Sequence, residues 1–214
     1  MTLLYTFDHA LFLALNFDGG PVMDRLMTVV SGTTLWLPLY GLILWLVWRR
    51  EGWRNTLLFA AAILLAIVLA DMVAGIFKHS GPLKGLWADF PPRWRPMFTP
   101  SLEGLEIAPD TLMRWRFEGH ATPGMVHVPA GALAGKFGTV SSHAATIVAL
   151  LVLSAAEIRR RWFTILMVAA TLLICYSRIY LAKHFPVDLL LGAAVGALTG
   201  WAMLCLYRRI KWKC

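Results

Sequence analysis

Residues 55–77 read NTLLFAAAILLAIVLADMVAGIF, an apolar run in which Asp71 is the only ionisable side chain. At about 1.5 Å of rise per residue, a helix over this run crosses the roughly 30 Å hydrocarbon core of a bilayer. Comparable runs lie on either side. One covers 33–48, with a half-apolar lead-in from Val22, and the others cover 142–157, 162–181 and 187–207. The run 142–157 barely reaches across, so its ends must sit in the interfaces. Composition agrees with these spans. Of 214 residues, 58% are hydrophobic and 15% charged, whereas soluble domains carry about a quarter charged residues. The apolar content excludes a disordered chain. A nucleic-acid binder would carry its positive charge on a polar body. The prediction is an all-α, polytopic membrane bundle of five to six helices in a single domain, 1–214.

Ahead of the spans, 4–16 places Leu4, Phe7, Leu11 and Leu15 on one helical face and Asp8 and His9 on another. That segment is too short to span and predicts a helix lying in the interface. Asp18-Gly-Gly-Pro21 ends it with turn chemistry. The first arginine is Arg25, so no charged segment precedes an apolar core as in a secretory signal. Between the second and third spans lies one long polar loop, about 79–140. With Lys78 it holds eight of the eleven prolines and eight of the seventeen glycines, so short helices at most are expected. Its aromatics (Trp87, Phe90, Trp94, Trp115, Phe117) predict order against the membrane surface. Trp48, Trp53, Trp162 and Trp212 read as interfacial anchors. Cys175 and Cys205 lie in apolar runs and Cys214 is the last residue. Without metal-type spacing, the first two read as small buried hydrophobes.

Orientation follows from the basic loops. Arg49, Arg50, Arg54, Arg159, Arg160, Arg161, Arg208, Arg209, Lys211 and Lys213 all follow odd-numbered spans, opposed only by Glu51 and Glu157. These ten cations less two acids equal the whole net charge of +8. By the positive-inside rule that side is cytoplasmic, and the long loop faces outward.

Three groups of polar residues then fall on the outer side. They are Lys78 with Arg93-Trp-Arg95-Pro96, then Val140-Ser-Ser-His143, then Ser177-Arg178 through His184 to Asp188. Ionisable groups at span ends are costly and usually functional. Lys78, Arg95 and Arg178 suit a phosphoryl group, whose transition state spreads charge over three oxygens. Ser141, Ser142 and backbone N–H groups at the start of the third span add neutral donors. An imidazole can attack phosphorus covalently. His184 is placed for that, with Asp188 one turn on to hold its Nδ1–H and His143 to protonate the leaving oxygen. Pro186 fits the first helical position. Arg93 reads as a surface cation rather than a phosphate ligand, and Asp71 as a structural partner. His79, His120 and His127 read as solvated or locally bonded, and Glu103, Glu106, Asp110 and Glu118 as solubilising. No carboxylate cluster or Walker-type loop appears, so neither a metal nor another cofactor is called for.

These groups resemble the signature of the type 2 phosphatidic acid phosphatase family: K-x6-RP, PSGH and SR-x5-H-x3-D. The third matches at every defined position from Ser177 to Asp188. The second matches at Ser141 and His143 and departs at Val140 and Ser142, where the family has Pro and Gly. In the first, Arg95-Pro96 fits but Lys78 lies seventeen residues before Arg95 instead of seven, an apparent ten-residue insertion with Lys84 as a competing lysine. The resemblance covers 4–207. It implies a membrane lipid phosphate phosphatase with a phosphohistidine on His184, with its site on the periplasmic side of a bacterial inner membrane. Lipid A phosphate or undecaprenyl diphosphate is the expected substrate, with phosphatidylglycerophosphate and phosphatidic acid as alternatives. A lipid phosphotransferase and a non-catalytic lipid-binding or translocating protein are the rival classes. Expected partners are the bilayer and the lipid phosphate, without nucleic acid and without an obligatory protein partner.

Overall fold

A computed structural model describes residues 2–211, so Trp212, Lys213 and Cys214 lie outside the described residues. The helices are α1 (Thr2–Leu15), α2 (Gly20–Ser31), α3 (Leu37–Phe77), α4 (Pro109–Glu118), α5 (Ser142–Ile158), α6 (Arg161–Tyr180) and α7 (Pro186–Lys211). Among the described residues there is no strand. The all-α prediction holds, and three of these stretches are long and apolar enough to cross a membrane.

The first two predicted spans are arms of one element. α3 breaks at Gly52, whose φ of 79° and ψ of 172° are non-helical and suit a residue without Cβ. One arm, 37–51, runs away from the catalytic motifs and the other, 53–77, returns. Both ends are tied to neighbours: Arg50 Nη1 donates to Glu157 O (3.1 Å) at the bend, and Lys78 Nζ to Ser142 Oγ at the return. The lead-in from Val22 is a helix of its own, α2. It stops at Gly32, which is extended at φ −82° and ψ 150°, and a 3-10 turn, Thr34–Trp36, leads into α3. Trp36 Nε1 pins that elbow to Val30 O at 2.8 Å.

α5 is the axis of the bundle. Ile43, Val47, Phe59, Ala66, Ala145, Ala149, Leu150, Met203 and Tyr207 form its apolar core with both arms of α3 and with α6 and α7. Gly192, Gly196 and Gly200 on α7 meet Ser141, Ala145 and Ala149 on α5 so closely that a Cβ at Gly196 would sit 2.2 Å from Ala145 O. Small residues at this four-residue interval let membrane helices pack backbone to backbone. Ser141 N–H also donates to Asp188 O at 3.0 Å, so the second and third motifs are locked at one level. The outer surface of the bundle is apolar: Leu57, Leu64, Ile165, Leu172, Leu190, Leu198 and Trp201 are exposed. A water-soluble monomer rarely shows so large an apolar belt.

α1 presents Leu3, Leu4 and Phe7 outward and buries Asp8 and Phe12. The helical period was legible, but Asp8 faces the protein and not water. The long loop is ordered as its aromatics predict. Phe77, Trp87 and Phe90 form one cluster, Trp94 meets Phe137, and Phe98 stacks on Phe117. Glu103 departs from the expectation of a solubilising acid. It is 3% exposed, pairs with Arg116 and accepts from Gly124 and Met125 N–H groups at 3.1 and 3.0 Å. It is the loop's internal anchor. Cys175 and Cys205 are free thiols.

Candidate active site

Lys78 caps the end of α3. There its Nζ donates to Ser142 Oγ at 2.5 Å. Lys84, six residues on, is exposed. Lys78 is therefore the lysine set against the first turn of α5. Burial, with the Arg95 guanidinium beside it, pushes its ammonium down to about 8, against the opposing pull of Asp71.

Arg95 is delivered by a short pairing of the loop with itself. Trp94 bridges Phe137, Arg95 N–H donates to Lys136 O (3.1 Å) and Gly138 N–H to Arg93 O (2.9 Å). Its guanidinium donates from Nε to Gly135 O (2.5 Å) and from Nη1 to Lys183 O (2.8 Å), and Nη1 lies 3.4 Å from His184 Nε2. Burial brings its pKa down to about 10.

The third motif turns the end of α6 into the start of α7. Lys183 and His184 N–H groups both donate back to Arg178 O, at 2.9 and 3.3 Å, and Ala182 takes a left-handed φ of 52°. Arg178 is 5% exposed and donates from Nη1 to Ser31 Oγ of α2. Its Nε is buried without a partner. An unsatisfied guanidinium N–H is an unusual cost in a native fold, and Arg93 Nη2 and Arg116 Nε are buried without a partner as well.

His184 is 2% exposed. Burial first, then the Arg95 and Arg178 cations, hold it well below the ordinary imidazole range, so the ring is neutral at pH 7. Its Nδ1 lies 2.9 Å from Gly138 O. A carbonyl only accepts, so the ring proton sits on Nδ1 and Nε2 carries the lone pair, which faces Arg95 Nη1 at 3.4 Å. Here the expectation for Asp188 is corrected. Asp188 Oδ2 is 3.8 Å from Nδ1, beyond hydrogen-bond range. The carboxylate is already engaged, accepting Phe185 N–H at 2.9 Å in the manner of a capping box at the start of α7.

Arg93 is an internal ion-pair partner and not a surface cation. Its Nη1 lies 2.6 Å from Asp8 Oδ2 and 3.5 Å from Asp188 Oδ1, and its guanidinium covers the Phe185 ring at 3.6 Å. Asp8 in turn accepts Val187 N–H at 3.0 Å, satisfying a free donor of α7. Nothing in the spacing of Asp8 hinted at this link.

Ser141 is fully buried and caps α5, its Oγ accepting Ala144 N–H at 3.4 Å, which uses an oxygen lone pair and not the O–H. His143, on the first turn of α5, faces a small cavity of about 70 Å³ shared with Ser31, Trp36, Tyr40 and Ile174. Lys78, Arg95 and Arg178 bear electrostatically on both His143 and His184, and Lys183 on His143. Lys183 was missed in the sequence, where it looks like motif filler. Burial and the Arg178 and Arg95 charges push it down to about 8. Elsewhere on this side, His127 is held by Asp24 at 2.8 Å and His120 by Glu118 at 3.1 Å, the local bonding expected for both.

Known proteins resemble this chain in fold and sequence. The crystal structure of a transmembrane PAP2 type phosphatidylglycerolphosphate phosphatase from Bacillus subtilis superposes with a TM-score of 0.59 at 19% identity, covering 100% of this chain and 88% of that one. Among curated proteins, a lipid A 4'-phosphatase of Bacteroides thetaiotaomicron is 29% identical over 194 residues, 91% of this chain and 74% of the relative. A lipid A 4'-phosphatase of Porphyromonas gingivalis is 24% identical over 207 residues, 96% of this chain and 75% of the relative. The model of the PAP2 superfamily matches residues 56–212, which include all three motifs, and the chain belongs to that superfamily as a membrane phosphatase.

Proposed function

We propose that this protein removes a phosphate from a saccharide lipid of the lipid A type, through a phosphohistidine on His184. The observation that carries this is the neutral, Nδ1-protonated His184 set among Lys78, Arg95, Arg178 and Lys183. His184 Nε2 attacks phosphorus as the bond from phosphorus to the lipid oxygen breaks. With a phosphate dianion bound among the cations to offset their charge, His143 holds a proton, gives it to that oxygen and then takes one from the water that hydrolyses the phosphohistidine. The four cations, with Ser142, balance charge on the equatorial oxygens, so no step calls for a metal. Gly138 orients the nucleophile, and Asp188 shapes the turn that carries it.

The choice of substrate among lipid phosphates rests on the two relatives, both named lipid A 4'-phosphatases. They favour lipid A over undecaprenyl diphosphate. The basic end of the bundle, with Arg49, Arg50, Arg159, Arg160, Arg208 and Lys211, lies opposite the site. That polarity supports a periplasmic site in an inner membrane.

The test is phosphate release by detergent-purified protein from lipid A, undecaprenyl diphosphate and phosphatidylglycerophosphate in excess EDTA. Wild type should act on lipid A, and His184→Ala should not. Activity that disappears with EDTA, or persists in His184→Ala, overturns the mechanism. A preference for another lipid overturns the substrate. A probe at Ser101→Cys should react with a membrane-impermeant thiol reagent from outside, and labelling only after lysis would invert the orientation.

A further inference from the structure

At the end of the bundle away from His184, the bend of α3 and the turn between α5 and α6 enclose a cleft of about 390 Å³. Trp45, Leu46, Val47 and Ile158 form its apolar wall, and Arg49, Arg50 and Arg160 its basic rim. Two acids also line it, Glu51 and Glu157, but both are engaged by one cation. Lys211 Nζ lies 3.0 Å from Glu51 Oε2 and 2.6 Å from Glu157 Oε1, and the Tyr207 hydroxyl donates to Glu157 at 3.2 Å. Arg50 is spent on Glu51 and on the carbonyls of Glu157 and Ile158. Arg49 and Arg160 are exposed and form no ion pair among the described residues. Arg49 instead lies against the Trp45 ring, 5.6 Å from its centroid.

An apolar wall that ends in the exposed Trp45, topped by two uncompensated guanidiniums from separate segments, matches an amphiphile with an anionic head. We infer that this cleft holds one anionic phospholipid, with its phosphate between Arg49 and Arg160 and an acyl chain along Trp45 and Leu46. Guanidiniums grip phosphate oxygens in pairs, and basic pockets between membrane helices are a known form of lipid recognition. Bound there, the lipid clamps the α3 bend to the α5–α6 turn, the joint from which both catalytic helices rise. It is separate from the catalytic reading, because the ligand is a phosphodiester that is not cleaved.

The test is native mass spectrometry of the full chain in detergent, titrated with phosphatidylglycerol and, separately, phosphatidylcholine. Wild type should retain one phosphatidylglycerol and prefer it clearly over phosphatidylcholine, and free glycerol phosphate should not displace it. Arg49→Gln with Arg160→Gln should weaken binding about thirtyfold, from two basic contacts. Arg54→Gln with Arg209→Gln, an equal charge change outside the cleft, should bind as wild type does. Equal loss in both pairs would show a diffuse field and overturn the site. So would equal binding of the two lipids, a comparison that needs no variant, or displacement by glycerol phosphate.

Discussion

Replacing Arg93 by Gln tests whether this residue is the structural centre of the outer face. The change leaves Asp8 and Asp188, each 2% exposed at the side chain, facing each other without the cation between them. Removing one member of a buried ion pair costs about 3–5 kcal/mol. Arg93 is itself 24% exposed, so solvent screening brings the figure to the lower end, about 3 kcal/mol. Loss of the stacking on Phe185 is part of that total. Asp8→Asn should recover much of it in the double variant, because Asn keeps an acceptor for Val187 N–H and removes one of the two stranded charges. A coupling of about 2 kcal/mol is expected from the cycle of single and double variants. Unfolding by SDS titration in mixed micelles, followed by tryptophan fluorescence, measures it. The reasoning fails if Arg93→Gln unfolds at the same SDS fraction as Arg54→Gln. It fails equally if stability is unchanged while KM rises, since that is the signature of a phosphate ligand.

Other expectations follow from single contacts. Gly196→Ala places a methyl group 2.2 Å from the carbonyl oxygen of Ala145. Backbone must move, so a loss of about 1–3 kcal/mol is expected by the same titration, together with lower kcat as Ser141 and Asp188 separate. Gly138→Ala brings a methyl group within 3.2 Å of Arg95 Cγ and Lys183 O and 3.4 Å of His184 Nδ1. About a tenfold fall in kcat is expected, from a carbonyl moved off the nucleophile, with little change in the unfolding midpoint; an unaltered kcat would mean the Nδ1 contact is dispensable. Lys78 and Lys183, both pushed down to about 8, are cationic at pH 7 and lose that charge above it. Therefore kcat/KM for a phosphate dianion should fall as pH rises through about 8, and a plateau reaching pH 10 would contradict the buried-lysine clamp. The acid limb should follow the second ionisation of the substrate phosphate, about 6, because His184 is held neutral to well below that.

What could be read from the sequence was whatever a period or a fixed spacing encodes. Apolar runs gave each long helix or helix arm of the bundle to within a few residues, and Ser177 through Asp188 named the turn that carries His184, because a tight turn between two helices fixes its members by count. Gly52 was harder. The polar stretch 49–54 separates the two arms, and only the positive φ of Gly52 shows that one element bends there without ending. Asp8 and Arg93 were illegible for a different reason. They are 85 residues apart, and their bond exists only once α1 has been laid across the start of α7. Sequence separation likewise hid Ser31 and Gly138, whose partners lie 147 and 46 residues away.

The case of Asp188 shows how such contacts alter chemistry as well as packing. A carboxylate one turn beyond a histidine invites a triad, and counting residues cannot say which of several donors it will meet. At a helix start the nearest is the backbone N–H of Phe185, and with Arg93 also in reach the carboxylate settles there. His184 then takes its acceptor from Gly138, a main-chain carbonyl that no side-chain motif records. Its position depends on the pairing of 93–95 with 136–138, which also delivers Arg95. One stretch of backbone pairing thus places Arg95 and orients His184 together. An insertion between Lys78 and Arg95 is tolerated on the same grounds: Lys78 is held by Ser142, and Arg95 by Gly135, Lys183 and the pairing of 93–95 with 136–138.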